Sequence, residues 1–166
     1  MPDQVVDRTY RAGHTVWEAE GPVVHVPFAD PYCPRGREAL LGSASEETPL
    51  VDGGTLVVIN GPRFSSRAES QWHAAAGWSV VGMTGMLEAS VARELALCFA
   101  TVCMVTDADA GLEGEEGVTH ADVLAVFENN IERLKAMLLR TIAAMPTGDC
   151  ACQHVLDGMK LPFPLP

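Results

Sequence analysis

Hydrophobic positions along this chain switch between the period of strands and the period of helices. Short β-branched and apolar runs predict extended segments at residues 5–6, 22–28, 54–59, 78–81 and 99–106. The run Thr55-Leu56-Val57-Val58-Ile59 reads as a short strand buried in a core. Between these runs, helical spacing predicts helices near 35–41, 66–76 and 86–97, the last of them amphipathic. The longest pattern begins after Thr119, a residue type that caps helix starts, and continues to about residue 144. Its apolar stripe is Val123, Leu124, Phe127, Ile131, Leu134, Leu138 and Ile142.

Strands alternating with helices predict an α/β fold with a mostly parallel sheet flanked by helices, the long helix packed across it. The pattern places one domain at residues 1–145 and an irregular tail at 146–166, where Pro146, Pro162, Pro164 and Pro166 fall. Only four or so strands are predicted. A parallel sheet needs both faces covered and both edges managed, so one this small is expected to be completed by another chain, with the first strand or its neighbour as the paired edge.

At 166 residues the chain has room for one core. A net charge of −11 with no Lys/Arg cluster argues against nucleic acid, where phosphate neutralisation supplies most of the affinity. Apolar runs fall short of a membrane span, and no cationic segment precedes one, so a cytoplasmic, membrane-free protein is expected. Cys98 and Cys103 read as buried thiols. Cys150-x-Cys152-x-His154 offers three zinc-ligand types without a fourth partner at usual spacing, so no metal is assigned.

Four segments carry the chemistry. Gly61-Pro62-Arg63-Phe64-Ser65-Ser66-Arg67-Ala68-Glu69-Ser70, Val81-Gly82-Met83-Thr84 and Thr106-Asp107-Ala108-Asp109 follow one another along the chain, and Ala29-Asp30-Pro31-Tyr32-Cys33-Pro34 precedes them. The first matches the G-P-R-F-S-S-R-A-E-S signature of methylthioadenosine phosphorylases without a mismatch. The second and third resemble that family's N-M-T or G-M-S and T-D-Y-D segments. The chain is therefore similar, from about Pro2 onward, to the C-terminal part of purine nucleoside phosphorylases of the methylthioadenosine phosphorylase type.

The resemblance implies a nucleoside-phosphorylase fold, an enzyme that is a pentosyltransferase of purine salvage, and phosphate as co-substrate with no further cofactor. It implies that Phe64 stacks on the purine. Ser65 stands where oxopurine-specific relatives place a base-binding glutamate, Met83 underlies the ribose, and Thr84 contacts phosphate beside a helix start. Asp107 and Asp109 are the catalytic pair. Cleaving the N-glycosidic bond builds negative charge on the departing purine, which a carboxyl group near N7 relieves by protonating or hydrogen-bonding that nitrogen. Asp at the first position, where oxopurine enzymes have Asn, favours 6-aminopurines.

His120, Val123 and Leu124 are the implied lining of the 5′ side. Methylthioadenosine enzymes have an apolar residue where His120 stands. Purine nucleoside phosphorylases have a histidine there, four residues before the same leucine, bonded to the 5′-hydroxyl. A donor in that slot favours a 5′-hydroxylated adenine nucleoside over a methylthio one. Ala108 and Gly111 depart from bulkier family residues and imply an opened base loop.

The family's Gly-rich phosphate loop, Arg-His pair and later Thr have no counterpart in these residues. One reading is a split enzyme: this chain supplies the base and ribose pocket, and a separate N-terminal-half subunit supplies the phosphate site within a trimer-based oligomer. The others are a repurposed adenine-nucleoside protein acting without phosphate, and a structural subunit of a full-length homologue.

Overall fold

The computed structural model describes all residues except 11, 12, 14, 18–22, 111–116 and 162–163. Element order is β1 (Gln4–Asp7), α1 (Pro34–Gly42), β2 (Thr55–Val58), α2 (Arg67–Ala75), β3 (Val80–Gly82), α3 (Met86–Glu94) and α4 (His120–Ala144), with a 3₁₀ turn at Ala151–His154. The strands form one sheet in the order β1-β2-β3, parallel throughout. Val57 pairs with Val6 on one side and with Val81 on the other.

β2 is central because its side chains suit burial on both faces. Leu56, Val57 and Val58 are buried, and burying each such side chain stabilises by about 1.5–3 kcal/mol. Parallel strands need crossovers, and α1, α2 and α3 fall between or after the strands as those connections require.

Both sheet edges are open among the described residues: β1 and β3 each have one neighbour. Two predicted strands are absent. Residues 23–28 form no strand, and residues 20–22 lie outside the described set. Residues 99–106 carry the apolar pattern of a strand but form no ladder. The Phe99 carbonyl accepts instead from the Cys33 N–H, at 2.6 Å. Periodicity reports a tendency to extend, whereas a strand also needs a neighbouring strand to bond.

Helix α4 starts where Thr119 predicts. The Thr119 hydroxyl accepts from the Asp122 N–H at 3.3 Å, and the Asp122 carboxylate accepts from the Thr119 N–H at 3.1 Å, which closes a capping box. Its principal neighbour is α1 rather than the sheet. Met137 packs with Met1 and Leu40, joined by Leu50, Val102 and Leu134. The rest of the stripe is poorly covered: Leu124, Phe127, Leu138 and Ile142 all stay exposed, Ile142 by 69%.

The tail is held rather than loose. The Arg35 guanidinium donates to the carbonyls of Pro146, Thr147, Gly148 and Asp149, clamping that segment against the first turn of α1.

Candidate functional site

The C-terminal ends of β2 and β3 open onto a cleft of about 550 Å³. Its walls come from β2 and β3 themselves, the turn before α2, the turn before α3, and residues 101–109. Placement at the carboxyl ends of parallel strands is where open α/β sheets bind ligands. Phe64, Met83, Thr84, Asp107 and Asp109 all line this one space.

The turn that carries Phe64 is a closed hydrogen-bond unit. Two Arg63 N–H groups donate to the two Glu69 oxygens, both at 2.7 Å, and a further one to the Phe64 carbonyl at 3.0 Å. Glu69 also accepts from the Ser66 N–H at 2.7 Å, while the Ser66 hydroxyl accepts from the Glu69 N–H at 3.3 Å. Arg63, then Ser66, hold the Glu69 carboxyl down at about 2. Arg63, Ser66 and Glu69 therefore build the platform, and Phe64 is what it presents, 36% exposed.

Met83 stands across the same cleft. Gly61, after the end of β2, leaves room for it: a Cβ there would meet the Met83 sulfur at 2.7 Å. Thr84 precedes Gly85, which caps α3 with φ +97°, in the left-handed region open to glycine. The Glu88 carboxylate already accepts from the Gly85 N–H at 2.6 Å. The helix start expected to favour an anion thus carries a carboxylate of its own.

Asp107 and Asp109 differ in a way the sequence did not reveal. Both Asp107 oxygens are engaged: Oδ2 accepts from the Thr106 hydroxyl at 2.6 Å, and Oδ1 from the Asp109 N–H at 2.8 Å. Asp109 sits in the left-handed region with φ 55°, and its Oδ2 is buried with no partner. A buried acceptor without a donor costs about 1–3 kcal/mol, and left-handed backbone at a non-glycine residue adds strain. A ligand or an ordered water would complete its bonding.

The remaining predicted residues are not brought together. The Ser65 hydroxyl is buried without a partner but does not line the cleft. His120, Val123 and Leu124 lie on the first turns of α4, with His120 and Leu124 exposed, and none of them lines it either. The packed part of α4 is its C-terminal half, around Met137 and Thr141. Gly111, on the base loop, lies outside the described residues.

One lining residue escaped the motif reading. His73 is buried in α2, with ring centroids 5.9 Å from Trp72 and 5.6 Å from Trp78, and its Nδ1 has no partner. It separates the main cleft from a neighbouring cavity of about 410 Å³, lined also by Arg8, Tyr10 and Arg63. The signal was a Trp-His pair followed at short spacing by another Trp.

The sequence pattern of the phosphorylase superfamily matches residues 1–143. The chain belongs to that superfamily. It is 51% identical over 177 residues to a purine nucleoside phosphorylase of Streptomyces coelicolor, an alignment that covers 100% of this chain and 63% of the relative. It is also 51% identical over 168 residues to an S-methyl-5′-thioadenosine phosphorylase of Mycobacterium tuberculosis, covering 100% of this chain and 61% of the relative. This phosphorylase-superfamily chain therefore spans under two thirds of the length of these relatives.

Solved structures agree. A mutant adenosine/methylthioadenosine phosphorylase of Schistosoma mansoni in complex with adenine superposes with a TM-score of 0.82 at 32% identity, over 89% of this chain and 59% of that one. A methylthioadenosine phosphorylase from an Antarctic soil metagenomic library superposes with the same score at 31% identity, over 95% of this chain and 57% of that one.

Proposed function

We propose that this chain forms the base and ribose pocket of a purine nucleoside phosphorylase acting on adenine nucleosides, adenosine-like or 5′-methylthioadenosine-like, and that a further polypeptide supplies the phosphate site. The observation that carries the reading is the convergence of Phe64, Met83, Thr84, Asp107 and Asp109 on one cleft, with a buried Asp109 oxygen awaiting a donor. An aromatic face, a flexible thioether and paired carboxylates suit a flat, amine-bearing purine above a sugar.

In this reading the purine lies against Phe64, with the ribose over Met83. Asp107, held by the Thr106 hydroxyl and the Asp109 N–H, stands at N7, and Asp109 offers its free oxygen beside it. A protonated carboxyl in this pair donates to N7 as the C–N bond breaks and negative charge gathers on the ring. Relatives named as purine nucleoside and methylthioadenosine phosphorylases, one of them crystallised with adenine, support the substrate class.

The proposal of a further polypeptide rests on charge. No Arg or Lys lines the cleft among the described residues, and Glu88 takes the start of α3, so a phosphate dianion meets Thr84 and little else. Two open sheet edges and the uncovered stripe of α4 are consistent with a larger assembly. Among the described residues no helix is long and apolar enough to cross a membrane. The same lack of cations favours the competing reading, an adenine-nucleoside protein that works without phosphate.

The base assignment is tested by calorimetry with adenine and hypoxanthine. Adenine binds preferentially, and Asp107→Asn shifts the preference toward the oxopurine without lowering the melting temperature by more than a few degrees. Equal binding of both bases by both proteins refutes it.

A further inference from the structure

The fold gathers four cysteines that lie far apart in the chain. Cys33 caps α1, Cys98 follows α3, and Cys150 and Cys152 belong to the tail. Their four sulfurs lie within 4.8 Å of one another. Cys33, Cys150 and Cys152 are buried as a cluster, while Cys98, read from sequence as a buried thiol, closes the group from the exposed side. The fourth partner missing from the Cys150-x-Cys152 spacing thus arrives from elsewhere in the fold, and so does a third. His154 takes no part: its Nδ1 and Nε2 are bonded to Asp157 at 2.8 Å and to Asp149 at 2.6 Å.

We propose that Cys33, Cys98, Cys150 and Cys152 form a structural zinc site, apart from the purine cleft. Zinc–sulfur bonds of about 2.3 Å at tetrahedral angles put neighbouring sulfurs about 3.8 Å apart. The Cys33 and Cys150 sulfurs are 3.7 Å apart, so that edge of the tetrahedron already exists. The remaining pairs need to draw in by less than about 1 Å. A disulfide would require about 2.05 Å, far closer than the 3.7 Å between the Cys33 and Cys150 sulfurs. Four soft sulfurs around one point select zinc over the hard oxygen-seeking cations.

The surroundings are prearranged for ligation. Arg35 holds the carbonyls of residues 146–149 and so fixes the approach to Cys150. The Cys33 side chain makes no cap bond to α1; its sulfur faces that of Cys150. Binding forms four Zn–S bonds and releases the four thiol protons to solvent. The ion then ties the tail to α1 and to the residue before Phe99, where the 101–109 wall of the cleft begins.

The test uses the 166-residue chain purified with reductant, exposed to zinc chloride and desalted. Metal analysis finds about one zinc per chain, and cobalt chloride in its place gives the intense thiolate-to-cobalt charge-transfer bands of a four-sulfur site. Cys98→Ser, at an exposed position, weakens zinc retention by more than about a hundredfold. Cys103→Ser, outside the quartet, retains the metal, and a chelator lowers the melting temperature of this variant but not that of Cys98→Ser. The proposal is overturned by substoichiometric zinc with no charge-transfer band, by disulfides within the quartet under reductant, or by equal zinc retention in the two variants. None of these outcomes touches the purine reading, since no ligand lines the cleft.

Discussion

Asp109 has opposite effects on stability and on function. Replacing Asp109 with glycine removes a buried unpaired acceptor, worth about 1–3 kcal/mol, and relieves a left-handed backbone that only glycine adopts freely. Against this, glycine raises the entropy of the unfolded chain, which costs roughly 0.5–1 kcal/mol. The N–H that Asp109 donates to Asp107 survives the change, so the neighbouring carboxylate keeps its place. The balance is a gain of about 1 kcal/mol, seen as a rise of roughly 2–4 °C in melting temperature for a domain of this size. Adenine affinity falls in the same variant, since a hydrogen bond is worth about 0.5–1.5 kcal/mol, or roughly two- to tenfold. Differential scanning calorimetry reads the first effect and isothermal titration the second. A destabilised Asp109→Gly protein that binds adenine as tightly as before refutes the reasoning on both counts.

Two further outcomes follow from the same geometry, and a third from the family resemblance. Met137→Ala opens the contact between α4 and α1 and costs about 2–5 kcal/mol in denaturant unfolding, whereas Leu139→Ala, on the exposed side of the helix, costs under about 1 kcal/mol. Because Arg63 holds the Glu69 carboxyl at about 2, below its ordinary 4.5, its stabilising contribution is full above 4.5 and disappears as pH falls toward 2. The melting-temperature gap between the parent and Glu69→Gln therefore closes over that window, and a gap that widens on acidification contradicts the Arg63 contact. In an assembled, active enzyme adenosine is preferred over methylthioadenosine, and His120→Val reverses the order in competition kinetics; an unchanged ranking removes His120 from the 5′ side.

How far the sequence could be read depended on the range of the interaction concerned. Helix α4 and its Thr119 cap were legible because capping and amphipathic spacing are local, and so was β2, whose apolar run has no alternative to burial. Residues 99–106 were misread as a strand because ladder formation depends on a neighbour that local pattern does not reveal. Phe64, Met83, Thr84, Asp107 and Asp109 were found by motif, and the fold places them on one cleft. Motif could not divide the two carboxylates into a clamped one and an unpaired one, since that depends on Thr106 and on the φ of Asp109. The cysteine quartet was hidden for a different reason: its members are separated by up to 119 positions, from Cys33 to Cys152, and only the docked tail unites them.

Phosphate dependence of adenine release is the decisive measurement. The 166-residue chain alone shows negligible phosphorolysis of adenosine or methylthioadenosine, because no Arg or Lys lines its cleft among the described residues. Adding a polypeptide that carries the Gly-rich loop and Arg-His pair of the family raises the phosphate-dependent rate by at least roughly 10², the cost of losing a single preorganised donor. Adenine release that stays independent of phosphate in that mixture, or rapid phosphorolysis by the chain alone, contradicts the proposed function.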